Sequence, residues 1–459
     1  MKKSLLTLIL ASTLSINAQY QILHDFNGTD GANPYCSLIS DGTYLYGTTN
    51  QGGASNNGNI FKIKPDGTGY QDLFDFNNTN GANPEGSLLS DGTYLYGVTP
   101  NGGANYFGTI FKIKPDGTGY QDLYDFSYSG AYGPRGTLIS DGTYLYGMTG
   151  SCGSSCYGSV FKIKPDGTGY TDLMTFNNAT GTSPIGSLIT DGTYLYGMTN
   201  LGGANSDGVI FKVKTDGTGY TNLHDCSNTS GYQPRGSLIS DGIYLYGMMS
   251  SGGANTRGVV FKIKPDGTGY TNLVDFTTNT NGNTPFGDLY SDGTYFYGTT
   301  GQGGNLSLNG GYGDGVVFKV KTDGTSFDTL FAFNGTNGVQ PQGSLFSDGV
   351  YLYGTASSGG ANSKGTIFKT CMGAPCSAGI KQYNNGSSFK MYPNPTNGIL
   401  NIENLMFNNS SELEITDVLG NSIKRLSSVD NHLTIDVSEL QSGVYFIKVG
   451  NSTQKFIKQ

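Results

Sequence analysis

Tyr20-Gln21-Ile22-Leu23-His24-Asp25-Phe26 is a strand without a repeat of its own. It matches Tyr70-Gln71-Asp72-Leu73-Phe74-Asp75-Phe76, which closes a complete repeat of four strand-like segments, yet three such segments do not precede it. At the far end, Phe368-Lys369-Thr370 opens the third segment of a repeat, and the pattern stops at Cys371 before any fourth. An open stack of repeats has no reason to divide its first and last members in this way. A ring does, because the N-terminal strand can complete the last repeat and remove an exposed edge.

Between these ends the repeat dominates the chain. Asp-Gly-x-Tyr-x-Tyr-Gly begins at Asp41, Asp91, Asp141, Asp191, Asp241, Asp292 and Asp348, and Phe-Lys recurs at Phe61, Phe111, Phe161, Phe211, Phe261, Phe318 and Phe368. The period, 50 residues from Asp41 to Asp91, is stretched near Asn305 to Asp314. The second unit reads as Gly86 to Ser90, Tyr94 to Val98, Thr109 to Lys114 and Tyr120 to Phe126. Alternation in Phe61-Lys62-Ile63-Lys64 favours strands, and the Asp-Gly pairs favour tight turns. A hairpin placing Lys64 opposite Tyr70 would pair Lys62 with Asp72, Lys112 with Asp122 and Lys162 with Asp172 as framework charges. The expected fold is all-β: a seven-bladed β-propeller closed by the N-terminal strand, then a small C-terminal β-sandwich.

These units resemble the GloVer-type tandem repeat, with its Gly-x-[Ile/Val]-Phe-Lys-[Ile/Val] strand and Asp-Gly turn, from Tyr20 to about Thr370. The resemblance implies an extracytoplasmic repeat protein and brings no catalytic residues with it.

Composition agrees. The 459 residues include 73 Gly and 32 Tyr but no Trp, which suits tight turns between short aromatic strands. The net charge of −8 offers no basic stripe for nucleic acid. Lys2, Lys3, the apolar run Leu5 to Leu14 and Ala18 read as an export signal over residues 1–18. That run is too short to span a bilayer, and no transmembrane segment is expected. An oxidising compartment suits local disulfides Cys152–Cys156 and Cys371–Cys376, whereas Cys36 and Cys226 replace a repeated Gly and Phe and should pack as small apolar residues. The repeats then occupy residues 19–376, and polar residues 377–389 read as a linker.

Residues 390–459 show short alternating strands. Tyr392-Pro393-Asn394-Pro395, Asp417-Val418-Leu419-Gly420, Leu440 to Tyr445 with Gly443, and Lys455 to Lys458 resemble the type A C-terminal sorting domain of type IX secretion substrates. This resemblance implies delivery by the type IX machinery to the outer surface, or the exterior, of a two-membrane bacterium.

No nucleophile–base arrangement, metal cluster or phosphate loop stands out, so no catalytic residue, metal or cofactor is nominated. His24 and His224 share one framework position in two units. Binding is sought in the loops. The middle residue of a repeated Pro-x-Gly changes from copy to copy as Tyr35, Glu85, Arg135, Ile185, Arg235, Phe286 and Gln342, and would ring one channel mouth if the first strand is innermost. Tyr106, Phe107, Tyr132, Tyr157, Tyr232 and Tyr312 add aromatic loop surface. The leading expectation is a non-catalytic binding or adhesion protein for a glycan or surface polymer. Neutral variation at solvated loop tips would give the same pattern. A polysaccharide hydrolase or lyase, and a structural surface component, are the alternatives.

Overall fold

The computed structural model describes residues 20–152, 156–277 and 281–373, and further along 390–392, 396, 398–403, 412–416, 422–427, 432–441, 443–449 and 452–458. The export segment 1–18, the linker 377–389, Cys376 and Pro393-Asn394-Pro395 lie outside the described residues. The chain divides into two compact units, Met1–Cys376 and Ser377–Gln459.

In the first unit the described residues form seven antiparallel sheets of four or five strands. The second repeat shows the pattern, with Leu89–Ser90, Leu95–Thr99, Thr109–Ile113 and Gln121–Asp125 side by side in that order. In the sheet of the last repeat, Phe346–Ser347, Tyr351–Ala356 and Thr366–Cys371 are joined by Tyr20–Asp25 as fourth strand. Its register runs Tyr20 to Thr370 and Ile22 to Phe368, then shifts so that His24 meets Ile367. Internal sheets carry the same bulge, between Ile110 and Phe111 in the second repeat.

Each inner hairpin is set by its own turn. The Asp91 carboxylate accepts from the Thr93 and Tyr94 N–H groups at 2.8 and 2.7 Å, and from the Tyr96 hydroxyl at 2.8 Å. Burial works against the Asp91 carboxylate, but these donors outweigh it and hold the group below the usual carboxylate range. One turn residue thus ties backbone and aromatic side chain together.

Between sheets the contact is apolar. Leu88, Leu95, Phe111 and Ile113 of the second repeat pack in one buried cluster with Tyr46, Ile60 and Phe76 of the first. Phe111 is fully buried and fits because Gly97 faces it, since a Cβ there would lie 2.4 Å from the Phe111 ring. The N-terminal strand packs in the same way. Leu23 and Phe26 share a cluster with Leu45 and Phe61 of the first repeat and Ile367 of the last.

Two expectations need correction. Lys62 lies opposite Gln71, with Phe61 opposite Asp72, because the Lys64-to-Thr68 turn and the bulge move the register. Lys62 instead places its ammonium over the Tyr44 ring at 4.8 Å and donates to Pro115 O in the next repeat at 3.4 Å. The same shift separates Lys112 from Asp122 and Lys162 from Asp172, which align with Gln121 and Thr171 instead. The first strand is also shorter than its sequence pattern, two residues at Leu89–Ser90, because the Ser87 N–H donates to the Thr137 side chain of the next repeat.

Cys152 and Cys156 form a disulfide, and Cys371 is disulfide-bonded. Cys36 and Cys226 are free, which their sequence positions left open, and both are buried.

In the second unit, Lys390–Tyr392, Ile399–Glu403 and His432–Asp436 make one sheet. Ser422–Ser427, Glu412–Thr416, Gly443–Val449 and Ser452–Lys458 make another. Both contribute to a core that includes Leu400, Ile402, Leu413, Ile415, Ile447 and Phe456. Tyr445 stacks on Phe456 and donates to Gln441 O at 3.0 Å.

Candidate functional site

The residue after each Pro-x-Gly position carries the site. Ser37 N–H donates to Ser87 Oγ at 2.7 Å, Ser87 N–H to Thr137 Oγ1 at 3.0 Å, and Thr137 N–H to Ser187 Oγ at 2.8 Å. Ser187 N–H continues to Ser237 Oγ at 2.8 Å, Ser237 N–H to Asp288 Oδ1, and Asp288 N–H to Ser344 Oγ at 2.7 Å. Ser344 N–H then donates to Ser37 Oγ at 2.8 Å, and the circuit is complete. Seven sheets are thereby joined by seven bonds, each from a backbone donor to the side chain one repeat further on. The neighbouring glycines allow the crowding this needs, since a Cβ on Gly136 would lie 2.2 Å from Gly186 O. The sequence signal for this ring, a hydroxyl or carboxylate after every Pro-x-Gly or Pro-x-Cys, is plain in retrospect and escaped the sequence reading.

Around the ring lies a cavity of about 310 Å³. Its lining includes all seven variable residues, Tyr35, Glu85, Arg135, Ile185, Arg235, Phe286 and Gln342, together with the ring residues and their glycines. The framework is nearly uniform here, so the chemistry of the cavity is set by these seven side chains of six kinds, arginine alone occurring twice.

Two pairs organise them. The Arg135 Nη1 donates to both Glu85 oxygens, at 3.0 and 2.8 Å. Burial pushes the Glu85 carboxyl above its usual range, and Arg135 opposes that rise. The Arg235 guanidinium lies over the Phe286 ring, 4.9 Å from its centroid. Burial lowers the Arg235 pKa, and burial first, then the Glu85 charge, raises that of Tyr35.

The loop aromatics sit apart from this cavity. Tyr106 is 66% exposed, and Tyr157 and Tyr312 are also exposed. Tyr132 packs against Phe107 at 4.9 Å and Tyr128 at 5.9 Å, and Tyr232 leans on an internal apolar cluster. None of Tyr106, Tyr132 and Tyr232 is in the cavity lining. His24 and His224 stack on Tyr70 and Tyr270, each at 3.9 Å, in the slot where Phe74 stacks on Tyr120 at 4.0 Å. Their position is one of packing. Tyr392 and Gly443 of the sorting motif lie in strands of the second unit.

Comparison with known proteins places these observations. The Gloeobacter/Verrucomicrobia repeat matches residues 10–149, 89–212 and 153–311, and the secretion system C-terminal sorting domain matches 390–459. Among solved structures, an oligogalacturonate lyase in complex with manganese is similar with a TM-score of 0.54 and 14% identity, over 79% of this chain and 95% of that one. PorZ, an essential bacterial surface component of the type-IX secretion system of Porphyromonas gingivalis, reaches a TM-score of 0.46 at 13% identity, over 93% of this chain and 59% of that one. At such identity the lyase likeness concerns the fold alone. No curated protein sequence matches the chain.

Proposed function

Because this chain belongs to the Gloeobacter/Verrucomicrobia repeat family and ends in a secretion system C-terminal sorting domain, we propose that it is an exported surface protein whose seven-bladed propeller binds a glycan or surface polymer without catalysis. The sorting domain points to secretion and the cell surface, and no helix among the described residues is long and apolar enough to cross a membrane. In this reading residues 1–18 direct export, 19–376 form a propeller closed by Tyr20–Asp25, 377–389 link, and 390–459 form a β-sandwich read by the type IX machinery. The closed circuit of hydrogen bonds supports the propeller.

The binding reading rests on one observation: seven copies of one framework position, bearing six kinds of side chain with only arginine repeated, line a single cavity. A rigid scaffold that varies its residues at one mouth is organised for recognition. A second reading, a polysaccharide hydrolase or lyase, draws on the raised carboxyl of Glu85, the direction a general acid needs. Arg135 engages both of its oxygens, which favours recognition instead.

A glycan array probed with the full chain tests the proposal, alongside a broad depolymerisation assay. Binding to defined glycans is expected, and it should be lost in Arg135→Ala/Phe286→Ala, with no product released. Absence of all glycan binding, or depolymerisation abolished by Glu85→Gln, would overturn it.

A further inference from the structure

We propose that the mouth selects an acidic sugar at a chain end, with Arg235 receiving its carboxylate. This deepens the glycan-binding reading and rests on it.

The two guanidinium groups of the cavity are in different states. Arg135 is matched by Glu85 through both carboxylate oxygens. Arg235 is exposed and, among the described residues, is paired with no carboxylate. Asp288, the one carboxylate in the hydroxyl ring, is engaged by the Ser237 N–H.

The Arg235 guanidinium lies over the Phe286 ring, 4.9 Å from its centroid, a partner that supplies no oxygen acceptor to its N–H donors. A carboxylate fits such donors through two parallel hydrogen bonds. Ile185 lies in the lining between Arg135 and Arg235 in repeat order and offers an apolar patch to a sugar face, while Tyr35 and Gln342 supply hydrogen-bonding groups. The cavity, about 310 Å³, is at the small end for ligand sites. That volume suits one end of a chain more than a long run of sugars.

Titration calorimetry on the full chain compares galacturonate oligomers, the same oligomers with methyl-esterified carboxyls, and acetate. The acidic oligomer should bind at least about tenfold more tightly than its ester, a difference of about 1.4 kcal/mol. Arg235→Gln should abolish that preference, weakening the acidic oligomer more than the ester until the two bind alike, and Arg235→Lys should retain part of it. Thermal melts matching the wild type show that the variants fold. Equal affinity for acid and ester, or a preference that survives in Arg235→Gln, overturns the proposal. Acetate binding as tightly as the oligomer overturns it in favour of a small-anion site. Array binding confined to neutral glycans overturns it and leaves the glycan reading standing, whereas no glycan binding at all removes both.

Discussion

The strand Gln121–Asp125 follows its neighbour in the sheet after a short turn, whereas Tyr20–Asp25 reaches its neighbour only across the length of the repeats, and the two are nearly superimposable in their contacts. The Tyr120 hydroxyl donates to Asn80 O at 2.6 Å, and the Tyr20 hydroxyl to Asn337 O at 2.6 Å. Tyr120 stacks on Phe74 at 4.0 Å, and Tyr20 on Phe331 at 3.8 Å. Asp125 accepts from Ala104 N–H at 2.7 Å across 21 residues, while Asp25 accepts from Ala361 N–H at 2.9 Å across 336. Local pattern therefore determines the fit, and chain continuity is dispensable. The sixteenfold longer connection is four doublings of loop length, which cost about 2.4 kcal/mol more to close. Burying Leu23 and Phe26 at the seam, at roughly 1.5–3 kcal/mol each, outweighs that penalty.

The comparison breaks most visibly when the seam is removed. Deleting 20–26 from the mature chain strips the last sheet of its fourth strand and bares the edge Thr366–Cys371. The loss should be comparable to the whole stability of a domain, about 5–15 kcal/mol. Denaturant melts and size-exclusion chromatography should report a lost cooperative transition and self-association; an unchanged midpoint would sink the seam's importance. Next come Phe26→Ala and Phe126→Ala, matched positions that are both fully buried. Each should cost about 3–5 kcal/mol. A difference beyond experimental error would mean that the two strands are packed alike but not held alike.

A smaller test concerns the inner hairpins. Tyr96→Phe and Tyr353→Phe each delete one hydroxyl-to-carboxylate bond, one in an internal sheet and one in the seam sheet. Equal losses of about 1.5–3 kcal/mol are expected in chemical denaturation. For Asp91 the folded pKa lies below its ordinary 3.8. Its contribution is therefore fully present above that value and is lost as pH falls through the folded pKa. Tyr96→Phe should soften this acid loss, which urea midpoints measured from pH 5 downward would reveal.

The seam was legible in the sequence because a strand leaves its signature even when its unit is missing: Tyr20 to Phe26 repeats Tyr70 to Phe76 at five of seven positions, differing at Ile22 and His24. The seven cavity residues were legible for the complementary reason, as variation at one position of an otherwise repetitive frame. What escaped was everything that depends on register between strands or repeats. A bulge at Ile60/Phe61 moves Lys62 from Asp72 to Gln71, and no alternation pattern announces a bulge. The pairing of Arg135 with Glu85 needs residues 50 apart to touch, which follows from how adjacent sheets meet at the cavity and not from either residue's neighbours. The aromatic loop residues Tyr106, Tyr132 and Tyr232 were grouped with the cavity by their shared loops, yet their side chains belong to separate surroundings.

The finest comparison is between the two histidines. His24 in the seam strand bonds the Asp30 carboxylate at 3.1 Å, whereas His224 in an internal strand has its Nε2 buried with no hydrogen-bond partner. Both stack on a tyrosine, and burial, the largest influence on each, lowers both pKa values below the ordinary 6.5. A depressed histidine pKa means that the unfolded chain binds the proton more readily. Stability is thus complete above 6.5 and declines as pH falls from there toward the folded pKa. The Asp30 carboxylate opposes the depression at His24, and the nearby Asp225 charge does so at His224, where no hydrogen bond assists it. His224→Phe installs the residue found at the matching Phe74 and removes the unpartnered nitrogen. It should raise stability by about 1 kcal/mol and flatten the decline below pH 6.5. His24→Phe also discards the bond to Asp30, so its gain should be smaller or reversed. Melting temperatures of the two variants at pH 7.5 and 5.5 decide the matter. If His24→Phe gains as much as His224→Phe, the Asp30 contact contributes nothing, and the seam strand is equivalent to an internal one even at its most polar position.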